Sequence, residues 1–514
     1  MVRRLIPAAR RPFALALVSC VALASTLTLG LAWPESHGEV FASPPATTPP
    51  AEPVPLDKRI DALLAAAALG KDVQVGISVV DLATGETLYA RNADVALNPA
   101  SNAKLVTTAA ALERLGPEHR YTTRVWTDAK GVVDGVVTGK LYLQGGGDPA
   151  LITGELYELA GQLRSAGITR INGPIIIDAT RFDSDGLPPG FAQKDEFASH
   201  RAPGGAMSVN YNTFEVHARP GNAVGDAPML LVEPPVPSIE VISEAKTVAG
   251  NRNKLTVESK QEAGKIIVTF QGEVGIDNGP SSYRYPVSDP SRYAGELLVL
   301  ALTQRGIKLG KPTVETGGDT PRDAQLLATY RSESLSELCR SVNKWSNNFM
   351  AEQILRTLVP DDGATAKASL ELLRAYTVEI GMPQGGLVLG NGSGLYANNM
   401  IAPAALTYLL GHVYADFRYR SDFIASLAIM GGDGTTRSRL TDSPAEGWVR
   451  VKTGTLDDVS ALSGYAGANG RDPIAFAILF NGLERKHRAK ARELQDQIAE
   501  LLALEAQASA SNSD

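Results

Sequence analysis

At 514 residues the chain is longer than one hydrophobic core usually organises, so two or three domains are expected once any targeting segment is set aside. Hydrophobic residues make up 44% and charged residues 20%, the mix of an ordinary globular protein, which confines expected disorder to the ends. The net charge of −7, with no run of Lys and Arg interleaved with aromatics, excludes a phosphate-tracking surface and with it a nucleic-acid partner.

The chain opens with Arg3, Arg4, Arg10 and Arg11 ahead of an apolar stretch over residues 13–33, the layout of an export signal. Val40-Phe41-Ala42 offers small residues for cleavage, Ala22-Leu23-Ala24 an earlier site, so 1–42 reads as a signal. The apolar run is also long enough to span a bilayer, which leaves an uncleaved N-terminal anchor as an alternative. Leu17-Val18-Ser19-Cys20 resembles a lipoprotein box, but the residues after Cys20 stay apolar where a mature lipoprotein turns polar. Cleavage after Ala42 leaves Cys339 as the sole cysteine, best read as a small apolar residue on a buried helix face. Residues 43–55 carry six prolines between Pro44 and Pro55 and form a linker that cannot pack a core.

A helix is expected over 56–69, stopped by Gly70, then strands over 73–80 and 87–90 joined by Ala83-Thr84-Gly85. Residues 101–115 read as a helix ended by Gly116-Pro117, with Ser101 at its start and Lys104 one turn along the same face. Residues 121–329 change character: apolar strands at 141–143, 175–177 and 266–270 alternate with turns, and helices at 154–166 and 292–305 interrupt them. Helical patterning returns at Ser334, a capping-box start with Glu337, and a second helix begins near Ser346 with Met350, Ile354 and Leu358 on its apolar face. Strands are expected at 449–455, 461–466 and 474–480, followed by an amphipathic helix bearing Leu494, Ile498, Leu501 and Leu502. Residues 507–514 read as a disordered tail.

Three short motifs carry the chemistry: Ser101-Asn102-Ala103-Lys104, Ser346-Asn347-Asn348 and Lys452-Thr453-Gly454. A serine hydroxyl needs a base to become a nucleophile. The six histidines lie in no G-x-S-x-G elbow and no H-E-x-x-H pair, so neither a histidine triad nor a zinc hydrolase has a signature, and no metal or cofactor is implied. Lys104 can supply the base if its pKa is lowered by burial or by a neighbouring cation, for which Lys452 is the candidate. Ser346 can relay a proton and Asn348 can offer its amide to a substrate backbone. Lys452 and Thr453 can hold a terminal carboxylate, Gly454 leaves room for a substrate chain, and the backbone N–H groups of Ser101 and Thr455 can face an oxyanion. Taken singly, each motif is more often a capped helix or a strand with a solvated lysine. Gly145-Gly146-Gly147-Asp148 and Asn391-Gly392-Ser393-Gly394 read first as turns, since neither has nucleotide-loop spacing.

Together, in this order and with these flanks, the motifs resemble those of the class C low-molecular-mass penicillin-binding proteins, the D-alanyl-D-alanine carboxypeptidase/endopeptidase family. The resemblance runs from residue 56 to about 505. It includes the stretches from Leu143 to Pro149, Ser208 to Asn212, Asn391 to Leu395, and Val451 to Leu456 through Gly464-Tyr465. From Lys104 to Ser346 is 242 positions, a separation that fits the branch with inserted domains and not compact β-lactamases. The resemblance implies an α+β multidomain fold: a catalytic domain over 56–120 and 330–506, with an antiparallel sheet covered by helices beside a helical cluster, and two nested β-rich insertions over 121–329. It implies Ser101 as acylated nucleophile, Lys104 as base, Ser346 as relay, and Asn348, Lys452, Thr453 and Thr455 as substrate contacts. It further implies hydrolysis of D-Ala-D-Ala or of D-Ala-meso-diaminopimelate cross-links in peptidoglycan stem peptides, covalent inhibition by β-lactams, and an exported, periplasmic protein. A β-lactamase or esterase on the same fold, or a non-catalytic cell-wall binder, are the alternatives. Asn347 and Asn391 stand where the family pattern has Asp.

Overall fold

The structure is a computed structural model that describes residues 54–511, apart from 129–131, 195–196, 311–312, 361 and 397–398. The expected export signal and all but the last two residues of the proline-rich linker lie outside the described residues. Among the described residues no helix is long and apolar enough to cross a membrane.

A six-stranded antiparallel sheet is assembled from both ends of the chain. Its strands run in the order Ala428–Ile429, Val449–Thr455, Val459–Ala466, Ile474–Asn481, Gln74–Asp81 and Thr87–Arg91. The strand Ile474–Asn481 is buried at every position because both faces of the sheet are covered, which explains its unbroken apolar sequence. Its side chains still alternate in size. Ile474, Phe476, Ile478 and Phe480 enter one core with the helices Leu56–Ala67 and Arg488–Ser511, while Ala475, Ala477 and Leu479 enter another with the helical cluster. Small residues on the second face let the helix Pro403–Ala415 lie close, and bulky ones fill the space under the terminal helices. Truncating a buried Phe such as Phe476 costs roughly 3–5 kcal/mol in cores of this kind.

The helical cluster comprises Ala103–Leu115, Leu335–Trp345, Asn348–Thr357, Ala366–Glu379, Pro403–Ala415 and Arg420–Ser426. A third core draws its buried members only from between Val125 and Ala328. There a five-stranded sheet, ordered Val314–Thr316, Ile175–Asp178, Leu141–Gly145, Thr122–Thr127 and Gln325–Arg331, packs against the helices Thr153–Ser165 and Pro290–Gln304. Leu141–Gly145 and Ile175–Asp178 pair in parallel and are linked through Thr153–Ser165, a strand–helix–strand crossover. Two smaller sheets built from 213–286 complete this core.

Three expectations need correction. The closing helix continues through Ser511 where a tail was expected from residue 507, because Ala506, Ala508 and Ala510 favour helix and Ala506 is buried. The helix expected near Ser346 starts at Asn348, with Ser346 itself outside it. The Gly145-Gly146-Gly147 run is more than a turn: a Cβ on Gly145 would lie 2.3 Å from the Ala206 carbonyl oxygen, and one on Gly146 2.4 Å from that of Thr122. Three backbone segments meet there too closely for any side chain.

Candidate active site

The sheet and the helical cluster meet at residues 98–104. Asn98 is tied to the sheet by donating its backbone N–H to Asn481 Oδ1 (2.8 Å) and accepting from Asn481 Nδ2 (3.0 Å), and its own Oδ1 accepts from the Ala100 N–H (2.9 Å). These bonds hold Ala100 in the left-handed region, at φ +45°, although it is not glycine. Ser101 follows in a short 3₁₀ turn that runs into the helix Ala103–Leu115, and Asn102 anchors that turn by donating to Ser463 Oγ (3.0 Å) across the buried face of the sheet.

Lys104 lies one helical turn on and is 0% exposed. Its Nζ donates to Ser101 Oγ (3.0 Å), Asn348 Oδ1 (2.7 Å) and the Ser393 carbonyl (2.5 Å). Burial pushes its pKa down to about 7, with the nearby Glu352 carboxylate opposing the fall. Of the two causes the sequence left open, burial or the cation Lys452, burial is the one that acts on Lys104.

Ser346 and Asn348 reach the site through a joint between helices. Ser346 ends the helix Leu335–Trp345 at φ +58°, and Asn347 caps the next one by accepting from the Met350 N–H (3.1 Å). The left-handed residue breaks the helix so that Ser346 faces one lysine and Asn348 the other. Asn347 therefore does what Asp would do at this position, since both are good N-caps. Asn347→Asp should leave the unfolding midpoint close to that of the wild type, whereas Asn347→Ala should cost about 1 kcal/mol in denaturant titration.

Lys452, also 0% exposed, projects from the strand Val449–Thr455 and donates to Ser346 Oγ (2.9 Å) and to the Thr453 carbonyl (2.6 Å). Burial, and then the charge of Lys104, drives its pKa well below the ordinary lysine value. Thr453 Oγ1 lies 2.8 Å from Thr435 Oγ1. Ser101, Ser346, Thr453 and Thr455 line one cleft of about 390 Å³. Gly454 lines the same cleft, and its lack of a side chain also accommodates the start of the nucleophile helix: a Cβ there would lie 2.7 Å from the Pro99 carbonyl oxygen and 3.1 Å from Ala100 Cβ. A second cleft, on the Asn347–Phe349 side, runs past Trp345 to Tyr211 and Arg284.

The structure thus brings together all seven residues singled out from the sequence. Motif reading missed the wall that completes the site. Glu352, almost fully buried, accepts from the Ser393 N–H (2.7 Å) and the Gly392 N–H (3.2 Å), and Thr107 Oγ1 donates to the Gly392 carbonyl (2.8 Å). The Asn391–Gly394 turn is thereby held with its Ser393 carbonyl on Lys104. Burial pushes the Glu352 carboxyl up. The available signal was an acidic residue one turn after Asn348 on a helix whose neighbours are apolar. Asn391 itself donates to the carbonyls of Pro189 (3.1 Å) and Leu395 (3.0 Å) and accepts from Gly394 N–H (2.8 Å). An ionised Asp could not make the first two bonds. Cys339 is a buried free thiol whose pKa burial raises, so it is inert packing.

Two serine–lysine pairs, Ser101 with buried Lys104 and Ser346 with buried Lys452, beside an antiparallel sheet with a helical cluster on one face and terminal helices on the other, define a penicillin-binding-type serine acyl hydrolase. The chain matches the D-Ala-D-Ala carboxypeptidase 3 (S13) family over residues 56–504 and belongs to that family of serine hydrolases. It is 34% identical over 444 residues to the D-alanyl-D-alanine carboxypeptidase of Actinomadura sp. (strain R39), covering 83% of this chain and 81% of that one. It is 27% identical over 499 residues to a carboxypeptidase of Mycolicibacterium smegmatis, covering 91% of each. Its fold is similar to the crystal structure of penicillin binding protein 4 from Haemophilus influenzae, with a TM-score of 0.74 and 22% identity over 86% of this chain and 99% of that one.

Proposed function

We infer that this serine DD-peptidase works on peptidoglycan stem peptides outside the cytoplasm through a Ser101 acyl-enzyme. The observation that carries this reading is the amine of Lys104, fully buried, 3.0 Å from Ser101 Oγ and shifted to about 7. Neutral Lys104 takes the Ser101 proton as Oγ attacks the carbonyl of the penultimate D-alanine. The C–N bond then breaks, the amine leaves with a proton relayed through Ser346, and water later hydrolyses the ester. Asn348 holds the substrate amide while also fixing Lys104. Lys452 and Thr453 hold the terminal carboxylate, and the backbone N–H groups of Ser101 and Thr455 receive the oxyanion. β-Lactams, whose strained amide resembles the substrate, acylate the same serine.

The division into a catalytic domain over 56–120 and 330–506 and insertions over 121–329 is part of this reading. It is supported by a core drawn only from within 125–328, and nesting is supported by a five-stranded sheet built from 122–178 and 314–331 around sheets from 213–286.

Purified full-length protein incubated with a fluorescent penicillin should label, and Ser101→Ala should not; an unlabelled wild type, or equal labelling of the variant, would sink the reading. Acylation needs the neutral amine, which forms as pH rises. The second-order labelling rate should therefore climb from pH 6 to pH 8 with its midpoint at about 7. A rate flat or falling across that range would remove Lys104 as the base.

A further inference from the structure

The relay serine opens on two clefts. Ser346 lines the one at Ser101, and with Asn348 it also lines the second, of about 630 Å³, which takes in Tyr211, Thr213 and Arg284 of the insertion. Those three residues line a further hollow of about 370 Å³ that continues past Asn210 and Thr153 to Glu233. The two hollows form one trough from the relay serine onto the inserted sheet that holds the strands Thr213–Arg219 and Ser281–Pro286. Each falls among sites that take drug-sized ligands, roughly 300–1,000 Å³. With the terminal carboxylate at Thr453 and the substrate amide on Asn348, the amino end of the stem peptide heads into this trough.

Its walls are aromatic and polar. Trp345, the last residue of its helix, is 60% exposed, an uncommon state for so large an apolar ring and one that marks a binding surface. Phe349 lies beside it in the same cleft, and Tyr211 meets Phe349 edge to face with ring centroids 6.1 Å apart. The turn that presents Tyr211 is strained: Asn210, Tyr211 and Asn212 hold φ values of +53°, +57° and +52°, three successive non-glycine residues in the left-handed region. Asn212 Nδ2 secures it by donating to the Pro203 carbonyl (2.7 Å) and Ser208 Oγ (2.8 Å), and Asn210 Nδ2 donates to Thr153 Oγ1 (2.8 Å). Arg284 donates from Nε to Glu215 Oε1 (2.9 Å), so its charge is already answered, and Glu233 is engaged by His217 at 3.2 Å. Flat apolar rings beside amides, hydroxyls and compensated charges suit a neutral ligand rich in hydroxyl and amide groups, not a charged peptide.

We propose that this trough binds the glycan to which the stem peptides are attached, a chain of N-acetylated hexosamines, with a sugar ring stacked on Trp345 and its hydroxyl and amide groups met by the polar wall up to Arg284. The assignment rests on the Ser101 reading and deepens it: the substrate is the peptide on its glycan. In peptidoglycan the amino end of each stem peptide is joined to a sugar, so the polymer lies on the Asn348 side of the scissile bond. The C–H groups on one face of a pyranose pack on an indole ring while its hydroxyls keep their hydrogen bonds, which is why an exposed Trp beside polar groups fits a saccharide.

The test compares kcat/KM of the full-length protein for a pentapeptide and for the same pentapeptide carried on its disaccharide, in wild type, Trp345→Ala and Trp345→Tyr. Wild type should favour the glycosylated substrate about tenfold, chiefly through KM, Trp345→Ala should abolish the preference, and Trp345→Tyr should restore part of it. Calorimetric titration of wild type with a peptide-free tetrasaccharide of N-acetylated hexosamine should show saturable binding that Trp345→Ala removes. A wild type without preference, a preference that Trp345→Ala leaves unmoved, or no heat with the tetrasaccharide overturns the proposal. So does a Trp345→Ala variant impaired only on a sugar-free cross-linked peptide. The titration does not involve Ser101. Tetrasaccharide binding by a wild type that fluorescent penicillin fails to label rejects the acyl-enzyme reading and keeps the trough, whereas a labelled wild type that binds no sugar rejects the trough alone.

Discussion

Lys104→Met should slow Ser101 acylation by roughly 10²–10⁴-fold, the range over which a positioned general base contributes. The measurement is the second-order rate of fluorescent-penicillin labelling, with a thermal melt on the same sample to show that the fold persists. Methionine keeps most of the buried volume and removes the amine that touches Ser101, Asn348 and Ser393. Lys104→Arg is the sharper variant. It restores a donor for the three acceptors, but a guanidinium stays charged at any working pH and cannot take the serine proton. If the arginine enzyme acylates at nearly the wild-type rate, the lysine positions the serine and is not the base.

Gly394→Ala should destabilise the protein by roughly 2–4 kcal/mol and cost acylation as well. Two penalties coincide there. The residue sits at φ +77°, and a Cβ would lie 1.9 Å from the carbonyl oxygen of Ala100, the residue before the nucleophile. Relief of that clash must move either Ala100 or the Asn391–Gly394 turn, and so separates Ser101 from Lys104 or the Ser393 carbonyl from Lys104. Displacements of about 1 Å at a reacting centre cost on the order of a hundredfold. Gly85→Ala isolates the first penalty: its φ is also +77°, but nothing lies within 4 Å of the added carbon, so only the left-handed strain of about 1 kcal/mol should register. Equal melting temperatures for the two alanine variants would show that contact with Ala100 is unimportant.

Both experiments probe parts of the site that were unequally legible. The pairing of Ser101 with Lys104 was legible from a helix start and a spacing of three, although long-range bonds from Asn481, Ser463, Asn348 and Ser393 hold the two residues in place. The strand carrying Lys452, the apolar strand after it and the amphipathic closing helix were likewise readable from periodicity, because their burial is set by one repeating face. The helix near Ser346 was legible but the break before it was not, since a left-handed serine has no compositional signature. The approach of Pro99 and Ala100 to Gly454 was not legible, because a strand glycine signals close approach without naming what approaches. The closing helix outran its expected end because the alanines that prolong it are also common in frayed tails.

The sequence by itself determined which groups are candidates for the chemistry, in what order they occur, and that some 240 residues must be looped out between the first two motifs. Local spacing carries that information. Only the tertiary structure decided how Lys104 loses its charge, with burial leading and Glu352 opposing, and which backbone turn closes the site. It also decided that the cleft at Ser101 runs on to Arg492 and Gln495 of the closing helix. Desolvation and the meeting of backbones distant in the chain depend on what surrounds a residue in space, and no periodicity along the chain records that.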